Sequence, residues 1–204
     1  MLITFEGLDY CGKSTQVQLL EERLRSRGRP VRVLREPGGT ALGEVIRNLL
    51  LDRTNSVMTK ASELFLFSAS RSQLVQEIIR PALEAGAVVL LDRYFDSTTA
   101  YQGFGRGIPL DVIYAINRFA TGGLIPDLTF LLDIPGTEIA RRMSRAETDR
   151  DRMESSGIQF YERVREGYSQ LAKTEPRFRV LDGMQPIETL QEIIWGIVES
   201  ALRQ

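Results

Sequence analysis

The chain has 204 residues, a formal net charge of −1, no histidine and one cysteine. That length suits one domain with a sizeable core, and the balanced charge gives no global pull toward nucleic acid or an anionic membrane. Histidine triads, histidine bases, histidine metal sites, an internal disulfide and a multi-cysteine zinc site are all excluded. What remains is lysine, arginine, carboxylate, hydroxyl and bound Mg²⁺, a vocabulary suited to phosphoryl transfer.

Met1 to Phe5 reads as a short buried strand. There is no secretory n-region and h-region before it, and no apolar run approaches the about 20 residues that span a bilayer. A cytosolic protein is expected. Gly7-Leu8-Asp9-Tyr10-Cys11-Gly12-Lys13-Ser14 then satisfies G-x-x-x-x-G-K-[ST], followed by Thr15. This is the phosphate-loop pattern. Its glycines let the backbone bend N–H groups onto phosphate oxygens, Lys13 meets the β- and γ-phosphates, and Ser14 offers a hydroxyl to Mg²⁺. A helix from Lys13 to about Arg27 directs its positive end at the same anion.

Gly28-Arg29-Pro30 ends that helix, and Val31–Leu34 is a second strand. Arg35–Thr40 reads as a rigid turn, with Thr40 capping a helix through Leu42, Val45, Ile46, Leu49 and Leu50. After a polar connection, Arg53 to Met58, a long helix is predicted from about Lys60 to Glu84. Leu64-Phe65-Leu66-Phe67 leaves it little polar face, so it should be covered on several sides. Val88–Leu91 is a continuous apolar strand that stops at Asp92-Arg93-Tyr94. Phe95 to Arg106 holds Ser97, Thr98, Tyr101, Gln102 and several glycines. Leu110–Phe119 is a helix, Leu128–Leu132 a fourth strand, and an arginine-rich segment follows with Arg141, Arg142, Arg145, Arg150 and Arg152. Phe160–Leu171 is helical and Phe178–Leu181 is a fifth strand. The last helix turns Ile187, Leu190, Ile194, Ile197, Val198 and Ala201 inward.

Strands alternate with helices throughout, so the expected fold is α/β: a three-layer P-loop NTPase fold with a five-stranded parallel sheet and helices on both faces. The whole of 1–204 is expected to be one domain. Ligands gather beyond the carboxyl ends of such strands. The phosphate loop, Glu36-Pro37, Asp92-Arg93 and Gln185 all lie there.

Taken in series, the phosphate loop, Arg35-Glu36-Pro37-Gly38-Gly39-Thr40, Asp92-Arg93-Tyr94, Ala100-Tyr101-Gln102-Gly103 with Arg106-Gly107, and Pro126-Asp127-Leu128-Thr129 resemble the bacterial thymidylate kinase family over nearly the whole chain. The resemblance implies ATP + dTMP giving ADP + dTDP, with Mg²⁺, in a homodimer. It implies that Arg93 bridges the donor and acceptor phosphates and that Asp92 orders Mg²⁺ with Ser14. Asp9 would contact the acceptor sugar and the metal region. Phe67 would stack on thymine, with Arg71, one turn on, at its O4. Thr98 would face the thymine N3 edge, Tyr101 would crowd the sugar C2′, and Ser97, Gln102 and Arg47 would complete the dTMP site. Glu36-Pro37 is expected to hold a cis peptide. Arg142 would lie on the adenine face, with Gln185 near its other side. Residues 141–154 match the family's arginine-rich lid. In relatives an arginine can stand in the loop where this chain has Tyr10, so Arg152 is expected to supply transition-state charge, with Arg145 and Arg150 as weaker candidates.

Each residue also has a plainer reading: Asp92 as a turn cap, Phe67 as core, Arg47 and the lid arginines as solvated helix faces. Cys11, at a helix N-terminus, is expected to be a reactive thiol that ATP protects. A P-loop switch is the rival class, but no Asn-Lys-x-Asp element follows the strands. A kinase of another pyrimidine nucleotide or nucleoside is the rival within the class.

Overall fold

The computed structural model describes residues 1–145, 152–153 and 157–203. Five strands, β1 (Leu2–Glu6), β2 (Val31–Arg35), β3 (Val88–Asp92), β4 (Leu128–Asp133) and β5 (Phe178–Asp182), form one sheet in the order β2-β3-β1-β4-β5. Every pairing is parallel, with Phe5 beside Asp92 and Phe130. β1 is central and buried along its whole length, from the apolar Leu2, Ile3 and Phe5 to the carboxylate of Glu6 at its end.

Successive residues point to opposite faces. On one face Ile3, Phe5 and Leu90 meet Val17, Leu20 and Leu24 of α1 (Lys13–Ser26). On the other, Leu2, Val89 and Leu91 meet Leu74, Val75 and Ile79. Thr40 caps α2 (Ala41–Leu51), its hydroxyl accepting from the Gly43 N–H at 2.9 Å.

The expected helix 60–84 is present as α3 (Lys60–Leu74), a π segment (Val75–Ile79) and α4 (Arg80–Glu84). Its apolar run is only partly covered within the described residues: Leu64 is buried, but Phe65 is 61% exposed. The stretch from Phe95, to which the sequence assigned no element, is helical: α5 (Phe95–Thr98) continues into a π segment, Thr99–Gly105. Its glycines serve packing. A Cβ on Gly105 would lie 2.6 Å from the Phe160 ring and 2.9 Å from Val164 of α8 (Ile158–Thr174).

α6 (Leu110–Thr121) and α7 (Gly136–Arg145) complete the middle of the chain. In α9 (Ile187–Ala201), Leu190, Ile194 and Val198 face inward as expected, but Ile187 is exposed and Trp195 is buried in its place, under Arg23 and Arg27 of α1. No helix among the described residues is long and apolar enough to cross a membrane.

Candidate active site

The strand ends converge on one cleft of about 380 Å³. Its floor is the loop between β1 and α1. Gly7 has φ +136°, and a Cβ there would lie 2.5 Å from the Leu132 carbonyl, so the turn admits only glycine. Lys13 is buried and folds back over the loop, donating to the Leu8 carbonyl at 2.9 Å and the Gly7 carbonyl at 3.4 Å. α1 has no acidic residue in its first turn, so its free N–H groups face the cleft unopposed. Ser14 and Thr15 are exposed on that turn.

Ser14 donates to the Asp92 carboxylate at 2.6 Å. A hydroxyl and a carboxylate side by side at the cleft are a hard-oxygen pair of the kind Mg²⁺ takes. Among the described residues no group of three or more His, Cys, Asp or Glu is placed to hold a metal alone, so phosphate and water would complete the shell.

Arg93 sits at φ +70°, a conformation that is strained for a non-glycine residue and held by its surroundings. Its guanidinium pairs with Asp9 and donates to the Gly7 carbonyl, Ser97, Tyr101 and Tyr168. Burial would raise the Asp9 pKa, but Arg93 and Lys13 outweigh it and hold the carboxyl below its ordinary value. The Tyr101 and Tyr161 hydroxyls donate to the same carboxylate at 3.2 and 3.4 Å. Asp9 is thus fixed as an anion between two cations at the middle of the cleft.

Phe67, Arg71, Thr98, Tyr101, Gln102 and Arg47 line this same cleft. Arg71 is 1% exposed. Four of its donor contacts are taken: two by Glu36, one by Asn117 at 3.3 Å and one by the Tyr94 carbonyl at 3.3 Å. Glu36, in the cis Glu36–Pro37 turn, keeps a pKa raised by burial despite Arg71 beside it. Arg47 donates to the Pro37 carbonyl at 2.9 Å. Thr98 is buried, and its hydroxyl has no partner among the described residues.

The structure brings most of the expected residues to this cleft, while three stand elsewhere than the sequence reading placed them. Cys11 is only 2% exposed and packs in the core under the loop, with the Lys13 ammonium 3.7 Å from its sulfur. It contributes backbone to the loop and is not a surface thiol. Gln185 is exposed, is not among the residues that line the cleft, and donates its backbone N–H to the Asp182 carbonyl. Arg152 does not line the cleft. Glu63 of α3, with its side chain 2% exposed, draws it into an ion pair at 2.7 Å, while its Nε donates to the Leu50 carbonyl.

Arg142 donates to the Tyr10 carbonyl at 2.9 Å and to the Gly183 carbonyl at 3.4 Å, so it lies along the outside of the loop. Arg145 ends α7, and Arg150 lies outside the described residues. Sequence reading missed Glu6, Glu63, Met153, Tyr161 and Tyr168. The two tyrosines are seven apart on α8, and that spacing alone reads as core.

A parallel sheet with a glycine loop, a buried lysine and a Ser–Asp oxygen pair at its carboxyl edge defines a P-loop nucleotide-binding protein. The thymidylate kinase family model matches residues 5–194, and the chain belongs to that family. It is 50% identical to the thymidylate kinase of Chlorobium chlorochromatii (strain CaD3), covering 100% of this chain and 96% of the relative. It is 48% identical to that of Thermosipho melanesiensis, covering 99% of each.

Proposed function

We infer that this chain transfers the γ-phosphoryl group of ATP to dTMP, giving ADP and dTDP. One observation carries the reading: a single cleft joins the Lys13 ammonium to a buried end lined by Phe67, Arg71 and Thr98. Two nucleotides then meet phosphate to phosphate at Arg93. Family membership and 50% identity to a thymidylate kinase along the full chain support it.

The loop N–H groups and Lys13 hold the ATP phosphates, with Leu8, Asp9, Tyr10, Cys11, Gly12 and Thr15 supplying its backbone wall. Arg142 lies where an adenine would leave the loop. Arg93, held in place by its ion pair with Asp9, spans donor and acceptor and meets the charge that develops on the transferring group. Phe67 offers a flat apolar face to the base and Thr98 an unpaired hydroxyl to its edge, while Tyr101 fills the space a ribose 2′-hydroxyl would need. Ser14 and Asp92 would hold Mg²⁺, which when bound neutralises phosphate charge.

Residues 141–154 act as the lid of a single 1–204 kinase domain, and Arg152 reaches the phosphates only on leaving Glu63. The enzyme works in the cytoplasm as a homodimer, without nucleic acid or membrane. The dimer is supported by Phe65 on α3 and Phe119 on α6, 61% and 90% exposed on neighbouring helices.

The test is ADP release with dTMP, dUMP, UMP, dCMP and thymidine side by side. Turnover that needs dTMP is expected. Hydrolysis indifferent to the acceptor would mean a P-loop switch, and preference for another acceptor would move the enzyme within its class. Light scattering should give twice the 23.0 kDa chain mass.

A further inference from the structure

Behind Arg93 lies a carboxylate that the reaction as described does not use. Glu6 ends β1 and is 0% exposed. One of its oxygens accepts the Tyr94 N–H at 2.8 Å. The other accepts from Ser97 at 2.6 Å and from Tyr168 at 2.8 Å. Those two hydroxyls are themselves 2.9 Å apart. Three oxygens therefore form a closed triangle, and the Arg93 Nη1 donates to two of its corners, Ser97 at 3.2 Å and Tyr168 at 3.4 Å.

We propose that Glu6 is a positioning residue for Arg93: its charge state decides how firmly the Ser97 and Tyr168 hydroxyls hold the guanidinium that bridges the two substrates.

Counting protons gives the reason. With Glu6 ionised, the triangle has two hydrogens. Both hydroxyls point them at the carboxylate and turn their lone pairs outward, where Arg93 donates; such charge-assisted bonds are about twice as strong as neutral ones. With Glu6 protonated, a third hydrogen fills the remaining edge. The triangle then closes on itself, and the negative charge that attracted Arg93 is gone.

The groups facing Glu6 are few. Arg93 and Asp96 come from β3's end and α5, Tyr168 from α8, and Arg177, from the turn before β5, is paired to Asp96 at 2.6 Å. Burial, with Asp96 adding to it, pushes the Glu6 carboxyl up to about 7 against the opposing pull of Arg93, Ser97 and Tyr168. Both proton counts are therefore populated near neutrality.

The inference rests on reading Arg93 as the bridge between ATP and dTMP. It is tested by comparing wild type with Glu6→Gln at saturating ATP and dTMP from about pH 6 to about pH 8. Taking the ratio of the two turnover numbers cancels ionisation of the nucleotides. The ionised fraction of a group titrating at about 7 rises about tenfold across that window, so the wild-type-to-variant ratio should rise about tenfold.

A ratio that is low but flat with pH would make Glu6 merely structural and overturn the proposal. Should Glu6→Gln fail to fold, Tyr168→Phe serves. It removes a bond to the ionised form, so the inflexion of its profile must move to higher pH, and an unmoved inflexion overturns the proposal. Infrared difference spectra between the same pH limits should show a protonated-carboxyl stretch disappear in the wild type that is missing from Glu6→Gln, or displaced to higher pH in Tyr168→Phe, and the absence of such a band would also overturn it. Turnover that never depends on dTMP would instead sink the kinase reading, while the infrared signal still reports on Glu6.

Discussion

Thr98→Val separates what the pocket does for folding from what it does for binding. The residue is 1% exposed and lines the cleft, and its hydroxyl has no hydrogen-bond partner among the described residues. A buried polar group left unpaired costs about 1–3 kcal/mol. Valine keeps the branched shape and leaves nothing unpaired. The free variant should therefore be more stable by about 1 kcal/mol, which for a chain of this length raises Tm by about 2–4 °C.

With dTMP bound the sign reverses, because the same hydroxyl now meets a base edge. Losing a net hydrogen bond of about 1–1.5 kcal/mol weakens binding about tenfold. Differential scanning fluorimetry without ligand and the KM for dTMP at saturating ATP read the two effects. A lower Tm together with an unchanged KM would refute the reasoning, because the hydroxyl would then be structural and the base would sit elsewhere.

Lys13→Ala should lower turnover by a factor on the order of 10²–10³, since it removes a charge aimed at the transferring group; a fall of less than tenfold in a coupled ADP assay would take Lys13 out of the phosphate site. Glu63→Gln keeps the shape but removes the charge shared by Arg106 and Arg152. A loss of about 1–3 kcal/mol in urea denaturation is expected, with faster tryptic cleavage after Arg152; an unchanged cleavage rate would mean that Glu63 does not hold that segment. Cys11 should react with a thiol reagent orders of magnitude more slowly in the folded chain than in denaturant, given its burial. Prompt labelling of the native protein would restore the expectation of an exposed thiol.

The features that sequence made legible share one property: their cause is local. Gly7 and Gly12 are required by backbone angles within their own loop, Thr40 caps the helix that it begins, and β3 carries its burial in its own apolar run. The site was legible to the extent that it sits at strand ends, which the alternation of elements brings together. Phe67 and Arg71 share a helix face by spacing alone. What was not legible depends on partners far away in the chain. Glu63 meets Arg152 with a sequence separation of 89, and Glu6 meets Tyr168 with a separation of 162. Nothing near either residue announces its partner.

Cys11 shows the same division within a single loop. Its position at a helix N-terminus is a local fact and came out as expected. Which way its sulfur points is decided by the core beneath the loop, where it packs with residues of the sheet and the Lys13 ammonium passes over it. A thiol reacts only where a reagent can reach it, and this one faces inward. The same reasoning bears on Arg152. Its positive charge needs a carboxylate or a phosphate, and among the described residues the buried Glu63 is a carboxylate it reaches. A charge-rich segment read from sequence therefore identifies what can be attracted to the phosphates. The competing anions inside the fold determine when it is free to go.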